Sequence, residues 1–155
     1  MTNALRAARV DDVPLLVELM REFYAESQYA LDAERAETVF AQLLSDDRLG
    51  RVWIVEADRS AVGYVVLTFV FSMEYGGLNA VVDDLFIRPG YRHQGLGRAA
   101  LAQVIESCRS QGVRALHLET EPANGAAMRL YRRAGFRENG RQLMTLRLDT
   151  PLHVE

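Results

Sequence analysis

The chain is predicted to adopt an α/β (α+β) fold, a mixed sheet covered by helices, and three observations lead there. Apolar residues recur with strand-like and helix-like spacing in turn along the sequence. The elements so defined run βααββ and then βαβαβ. No internal repeat, linker or low-complexity stretch interrupts them. The 155 residues fit a single domain spanning 1–155, long enough to bury about two-thirds of its unfolded surface. At 49% hydrophobic and 25% charged residues, the composition is that of an ordinary water-soluble globular protein.

Each element has a local cause. Leu5 to Val10 reads as an opening strand. Asp11 or Asp12 caps a helix whose apolar face is Val13, Leu16, Leu19, Met20 and Phe23. A second helix runs from about Asp32 to Leu44, with Ala36, Val39, Phe40 and Leu43 inward. Strands Val52–Ala57 and Val62–Ser72 flank the polar turn Asp58-Arg59-Ser60, as in a hairpin. Gly76 and Gly77 turn the chain into a strand over Leu78–Ile87, which Pro89 and Gly90 end. A long helix starts near Gly95 or Leu96 and ends around Gly112. Strand Val113–Thr120 follows and Pro122 closes it. Asn124 caps a helix through Arg133, which Gly135 stops. Leu143–Leu148 is expected to form the last strand.

Charge and cysteine content narrow the function classes. A net charge of −3 argues against nucleic acid as the main partner, because phosphate binding needs a concentrated positive field. The arginines nevertheless cluster: Arg88, Arg92 and Arg98 in one group, Arg129, Arg132 and Arg133 in another. Such clustering fits a local anion site on an otherwise acidic protein, although a solvated basic helix face is the commoner meaning of the second group. The single cysteine, Cys108, excludes an internal disulfide framework and lies in an apolar repeat with Leu101, Val104 and Ile105, so it is assigned to the core. The opening residues MTNALRAARV lack a long apolar run, so neither a signal peptide nor a membrane span is expected, and a cytoplasmic location follows. No metal is expected, since nothing near His117 completes a ligand set.

The chemistry concentrates between residues 83 and 136. Arg92-His93-Gln94-Gly95-Leu96-Gly97 lies between a strand and a helix. Its two glycines leave main-chain N–H groups uncovered, and the helix start adds its positive dipole end, a combination suited to pyrophosphate. A glycine-rich connection that merely turns the chain is the plainer alternative. A phosphate loop of the Gly-x-x-x-x-Gly-Lys-Ser/Thr type fails for want of a lysine. Gly95-Leu96-Gly97-Arg98-Ala99-Ala100 matches a dinucleotide pattern, with Glu119 at ribose distance, but Arg88 through Gln94 separate it from its strand.

A third pattern accounts for more. Asp83-Asp84-Leu85-Phe86-Ile87-Arg88-Pro89 followed by Tyr91-Arg92-His93-Gln94-Gly95-Leu96-Gly97 resembles the central motif of the GNAT family of N-acetyltransferases. Leu116-His117-Leu118-Glu119-Thr120, Asn124, and Ala127 through Leu130-Tyr131 to Gly135-Phe136 resemble that family's second block, in the same order and spacing. His93 departs from the pattern, standing where a glycine is frequent. The resemblance implies the GNAT fold: a mostly antiparallel mixed sheet of about six to seven strands, about four helices, and two splayed parallel strands forming a coenzyme A cleft. Here those strands would be Leu78–Ile87 and Val113–Thr120. It further implies acetyl-CoA as the cofactor, with the main chain of Leu85, Phe86 and Ile87 along the pantetheine arm. Arg92, His93, Gln94, Gly95, Leu96, Gly97 and Arg98 would surround the pyrophosphate. Asn124, Ala127 and Tyr131 would line the cofactor's reactive end, although Asn124 serves equally as a helix cap and Tyr131 equally as a packed core residue.

The implied reaction is acetyl transfer to a primary amine of a small molecule or peptide by direct attack, in a ternary complex. An alkylamine is only about one part in a thousand unprotonated at neutral pH, and the departing thiolate leaves more easily once protonated, so the site needs a base and an acid. Tyr131 is the expected acid. Asp83 is the expected base, with Asp84, Glu119, Glu121 or a water path as rivals; strand alternation sends Asp83 and Asp84 to opposite faces. An acceptor pocket is expected from Phe23, Tyr24, Glu26, Tyr29, Met73, Glu74 and Tyr75, with Asp83 and Glu119, whose acidic and aromatic groups suit a cationic amine. A non-catalytic acyl-CoA sensor or scaffold is the alternative of another class. Longer acyl donors and a homodimer are left open.

Overall fold

The computed structural model describes residues 4–149. Residues 1–3, part of the stretch in which no leader is expected, and residues 150–155 lie outside that range. The elements are β1 (Ala4–Ala7), α1 (Val13–Glu26), α2 (Ala33–Ser45), β2 (Gly50–Ala57), β3 (Ser60–Ser72), β4 (Gly77–Ile87), α3 (Leu96–Ser110), β5 (Leu116–Leu118) and α4 (Gly125–Ala134). They form one sheet in the order β1-β2-β3-β4-β5, antiparallel except for the parallel β4–β5 pair.

Most local signals act as expected, but Asp12, at the head of α1, makes no side-chain cap there: its carboxylate accepts from the Arg6 guanidinium and the Arg9 N–H. Pro14 occupies the start of α1, where its missing N–H costs nothing. The Asp32 carboxylate accepts from the Arg35 amide at 3.1 Å and caps α2. Asp58 and Arg59 both take positive φ, the conformation a two-residue hairpin turn demands between β2 and β3. Gly135 ends α4 at φ 106°, a backbone that only glycine takes without strain.

The sheet separates two apolar layers. On one face α3 packs Leu96, Ala100, Leu101, Val104 and Cys108 against Val62, Val65, Leu67, Ala80 and Val82. On the other, α1 and α2 bring Leu16, Leu19, Ala36 and Phe40 against Ile54, Tyr64, Val66 and Phe86. Cys108 is buried in the α3 layer, and burial pushes its thiol pKa up, the opposite of an activated nucleophile.

Three expectations need correction. The opening strand placed at Leu5–Val10 is Ala4–Ala7, because Val10–Asp12 forms a 3-10 turn leading into α1. Residues 141–147 take no regular structure, so the strand placed at Leu143–Leu148 is absent and the described residues hold five strands rather than six or seven. This segment is held by ion pairs instead of a backbone ladder: Arg141 forks onto Glu74 at 2.6 and 2.7 Å, and Asp149 meets Arg35 at 3.1 Å. β5 is also shorter than Val113–Thr120. Arg114 N–H and Ala80 N–H tie residues 114–115 to β4 irregularly, and beyond Leu118 the two strands no longer pair.

Candidate active site

β4 and β5 pair only through Ala80↔Leu116, Val81↔His117 and Val82↔Leu118. β4 then continues to Ile87 with no strand on that side among the described residues, so its main chain from Asp83 onward is left unpaired there. At the same place β4 carries a bulge against β3. Leu67 pairs with Val82 and Val66 with Asp84, leaving Asp83 as the extra residue. The bulge breaks strict alternation. Val82 and Leu85 join the α3 layer, so Asp83 and Asp84 both turn toward α1 and α2, where sequence alone sends them to opposite faces.

Their environments differ. Asp83 is exposed and makes no hydrogen bond or ion pair among the described residues. Asp84 is largely buried and accepts from the hydroxyl of the fully buried Tyr64 at 2.8 Å. Burial pushes the Asp84 pKa up to about 6, the Tyr64 hydrogen bond pulls it down, and the neighbouring Asp83 charge raises it. Tyr64 is itself held far above the ordinary tyrosine value by burial and by Asp84, so it remains a donor. Sequence reasoning missed Tyr64. The available signal was a polar-tipped ring in an apolar strand that hairpin pairing sets beside the two aspartates.

Both carboxylates line a cavity of about 570 Å³ between α1, α2 and the sheet. Met20, Leu31, Ala36, Val39, Phe40 and Leu43 form its apolar wall. Tyr24 also lines it, its pKa raised by burial and then by Asp84 and Asp83. Of the expected acceptor residues, Tyr24 and Asp83 therefore meet, and the others are engaged elsewhere or stand apart. Glu26 binds Arg92 at 2.6 Å, Glu74 binds Arg141, and Tyr75 packs on His117. Tyr29 donates to Glu121 at 2.8 Å, while Glu119 and Met73 do not line the cavity. A second cavity of about 550 Å³, lined by Arg132, Arg133, Phe136, Arg137 and Glu138, holds none of the candidate residues.

The loop ahead of α3 is built from inside. The Arg92 guanidinium donates to the Ile87 carbonyl at 2.8 Å and lies 5.7 Å from the Phe86 ring centre, so its side chain braces the loop and does not project from it. Arg88 is likewise tied to Glu22 and to the Ala61 carbonyl. Gly95 caps α3 at φ 83° without a side-chain acceptor, and His93 also has positive φ. Among the described residues nothing accepts the main-chain N–H groups of His93, Gln94, Gly95, Leu96, Gly97 and Arg98. Arg98 is exposed and has no ion pair there. These donors form an anion-sized cradle with an unpaired cation beside it. At Gly97 an added Cβ would lie 3.4 Å from Leu130, so this glycine sits where α3 faces α4.

α4 supplies the remaining candidates. Asn124 Oδ1 accepts from Ala127 N–H at 3.2 Å, so it caps the helix. Tyr131 is partly buried against the α3 layer and meets Phe136 edge-on at 6.0 Å. Burial raises its pKa, and its hydroxyl has no hydrogen-bond partner among the described residues.

Comparison with known proteins agrees with this geometry. Residues 15–136 match the model of the acetyltransferase (GNAT) family. An integron cassette protein from the mobile metagenome of Cole Harbour Salt Marsh has a similar crystal structure, with 48% identity, TM-score 0.86, and coverage of 95% of this chain and 91% of that one. A predicted acetyltransferase with acetyl-CoA from Clostridium acetobutylicum shares the fold at 15% identity, TM-score 0.78, with 94% and 96% coverage. The ribosomal protein bS18-alanine N-acetyltransferase of Escherichia coli (strain K12) is 41% identical over 59 residues. That match spans 38% of this chain and 40% of the relative's length. No helix among the described residues is long and apolar enough to cross a membrane. With its family match running over residues 15–136, the chain belongs to the GNAT acetyltransferase family.

Proposed function

We propose that the protein transfers the acetyl group of acetyl-CoA to a primary amine of a small molecule or peptide, by direct attack with both substrates bound. The observation that carries this reading is in β4: its pairing with β5 ends at Val82, directly before the bulge that turns Asp83 and Asp84 toward the cavity, and the loop that follows the strand opens α3 with no side-chain cap.

The residues fit the cofactor. The cradle of unaccepted amides from His93 to Arg98 suits a pyrophosphate, and Arg98 adds an exposed positive charge. The main chain of Leu85, Phe86 and Ile87 would hold the pantetheine arm as a sheet edge holds a strand. Asn124 and Ala127 would border the same arm from α4. When bound, acetyl-CoA supplies an acyl group activated as a thioester.

This chain's own groups handle the protons. Asp84 takes the base role in preference to Asp83, because it is buried and oriented by Tyr64. With a pKa of about 6 it is mostly ionised at neutral pH and accepts a proton from the incoming ammonium. Asp83, exposed beside it, adds negative field that favours a cation. Tyr131 Oη, unpaired and protonated at neutral pH, donates to the departing sulfur.

Free thiol release from acetyl-CoA, followed across a panel of primary amines and peptides, tests the proposal. Amine-dependent release is expected. Tight cofactor binding with no release from any amine would overturn it in favour of an acyl-CoA sensor.

A further inference from the structure

The cavity has a third chemical character besides its acidic floor and apolar wall. Arg35, in the first turn of α2, and Arg147, in the C-terminal segment, both line it. Neither guanidinium bonds to Asp83 or Asp84. Both converge on one carboxylate, Asp149: Arg147 binds it in a fork at 2.9 and 3.2 Å, and Arg35 Nη2 reaches the same Oδ2 at 3.1 Å. Two arginines from separate parts of the chain, both lining the cavity, thus form a carboxylate cradle at its edge, with Asp149, outside the lining itself, as occupant. The contact is exposed, with 63%, 64% and 48% of the Arg35, Arg147 and Asp149 side chains accessible. Exposed ion pairs contribute little, so a ligand carboxylate can compete with Asp149 for the two guanidinium groups.

We infer that Arg35 and Arg147 form a carboxylate subsite of the acceptor pocket, and that the acceptor is a primary amine joined by an apolar stem to a carboxylate. The inference rests on the amine-acetylation reading above. Each part of the ligand has its counterpart: the ammonium at Asp83 and Asp84, the stem against Leu31, Ala36, Val39 and Phe40, the carboxylate at the two arginines. A cavity of about 570 Å³ is in the range that takes a small molecule of this kind. Asp149 is then a competitor in cis.

The test compares ω-aminohexanoate with hexylamine, which differ by the carboxylate alone. The ratio of their kcat/KM values should favour aminohexanoate by about tenfold or more, the magnitude of a charge-assisted contact. Arg35→Gln and Arg147→Gln should each reduce that ratio about tenfold, Arg35→Lys should keep part of it, and Asp149→Asn should raise it. A ratio near one, or one that the arginine variants leave untouched, would overturn the subsite. Calorimetric binding of the two compounds to the protein without acetyl-CoA reads the subsite apart from the chemistry. If no amine is acetylated yet aminohexanoate binds tighter and loses that advantage in Arg35→Gln, the reaction fails and the subsite stands. Equal affinities refute the subsite whatever the reaction.

Discussion

Asp84 is where a single residue sets activity against stability. The folded protein holds its proton more tightly than the unfolded chain does, because burial raises the pKa from 3.8 to about 6. The Asp84 contribution to stability therefore declines as pH rises through that window, then levels. Asp84→Asn keeps an acceptor for Tyr64 and removes the buried charge. It should abolish the rise of kcat/KM through about pH 6 and lower turnover at neutral pH by a hundredfold or more, as removal of a general base does. The same variant should gain up to about 3 kcal/mol of stability at neutral pH. A pH–rate profile and a denaturant series on one preparation check both effects, and an unchanged lower limb of the profile would return the base role to Asp83. Tyr131→Phe tests the acid. It deletes a hydroxyl that bonds to nothing among the described residues and keeps the edge contact with Phe136. Melting temperature and cofactor affinity should hold while single-turnover thiol release falls roughly a hundred- to ten-thousand-fold.

At the scale of elements, the site depends on how β4 lies on β3 and how α3 begins. Extending the pairing from the hairpin end would set Asp83 opposite Val66; the bulge sets Asp84 there. β3 and β4 approach so closely beyond the bulge that a Cβ on Gly63 would collide with the Phe86 carbonyl oxygen. Gly63→Ala should displace the site end of β4, costing roughly 1–3 kcal/mol by overpacking and lowering acyl transfer, read by denaturant midpoint and thiol release together. At the start of α3, Gly95 holds φ 83° with open space around an added Cβ. Gly95→Ala brings backbone strain of roughly 1 kcal/mol and no clash, so the protein should fold while the amide cradle shifts. Coenzyme A affinity, measured by calorimetry, should fall about tenfold, and an unchanged affinity would remove the cradle from the cofactor's path.

At the scale of the molecule, one sheet serves two apolar layers, so damage to either should be felt by both. Leu16 and Leu101 are 0% and 1% exposed on opposite faces. Leu16→Ala and Leu101→Ala should each cost about 2–5 kcal/mol, and Trp53 fluorescence and far-ultraviolet dichroism should report the same midpoint in either variant. Separate midpoints would show the layers unfolding independently. Sequence by itself determined the helices, the hairpins and the glycine loop, because these follow from neighbours in the chain: Asn124 as a cap, Asp58-Arg59 as a turn, Gly95 opening α3. It also determined the family, since the two motif blocks are contiguous. Only the tertiary structure decided which aspartate is buried, because the bulge against β3 turns both toward α1 and α2, where Asp84 lies against Tyr64 and Asp83 stays exposed. Only it set Tyr64 behind Asp84, turned Arg92 inward onto Ile87 and Glu26, and left residues 141–147 outside the sheet. Those outcomes depend on pairings and ion pairs between residues far apart in the chain, such as Arg141 with Glu74 and Arg35 with Asp149, for which local spacing carries no signal.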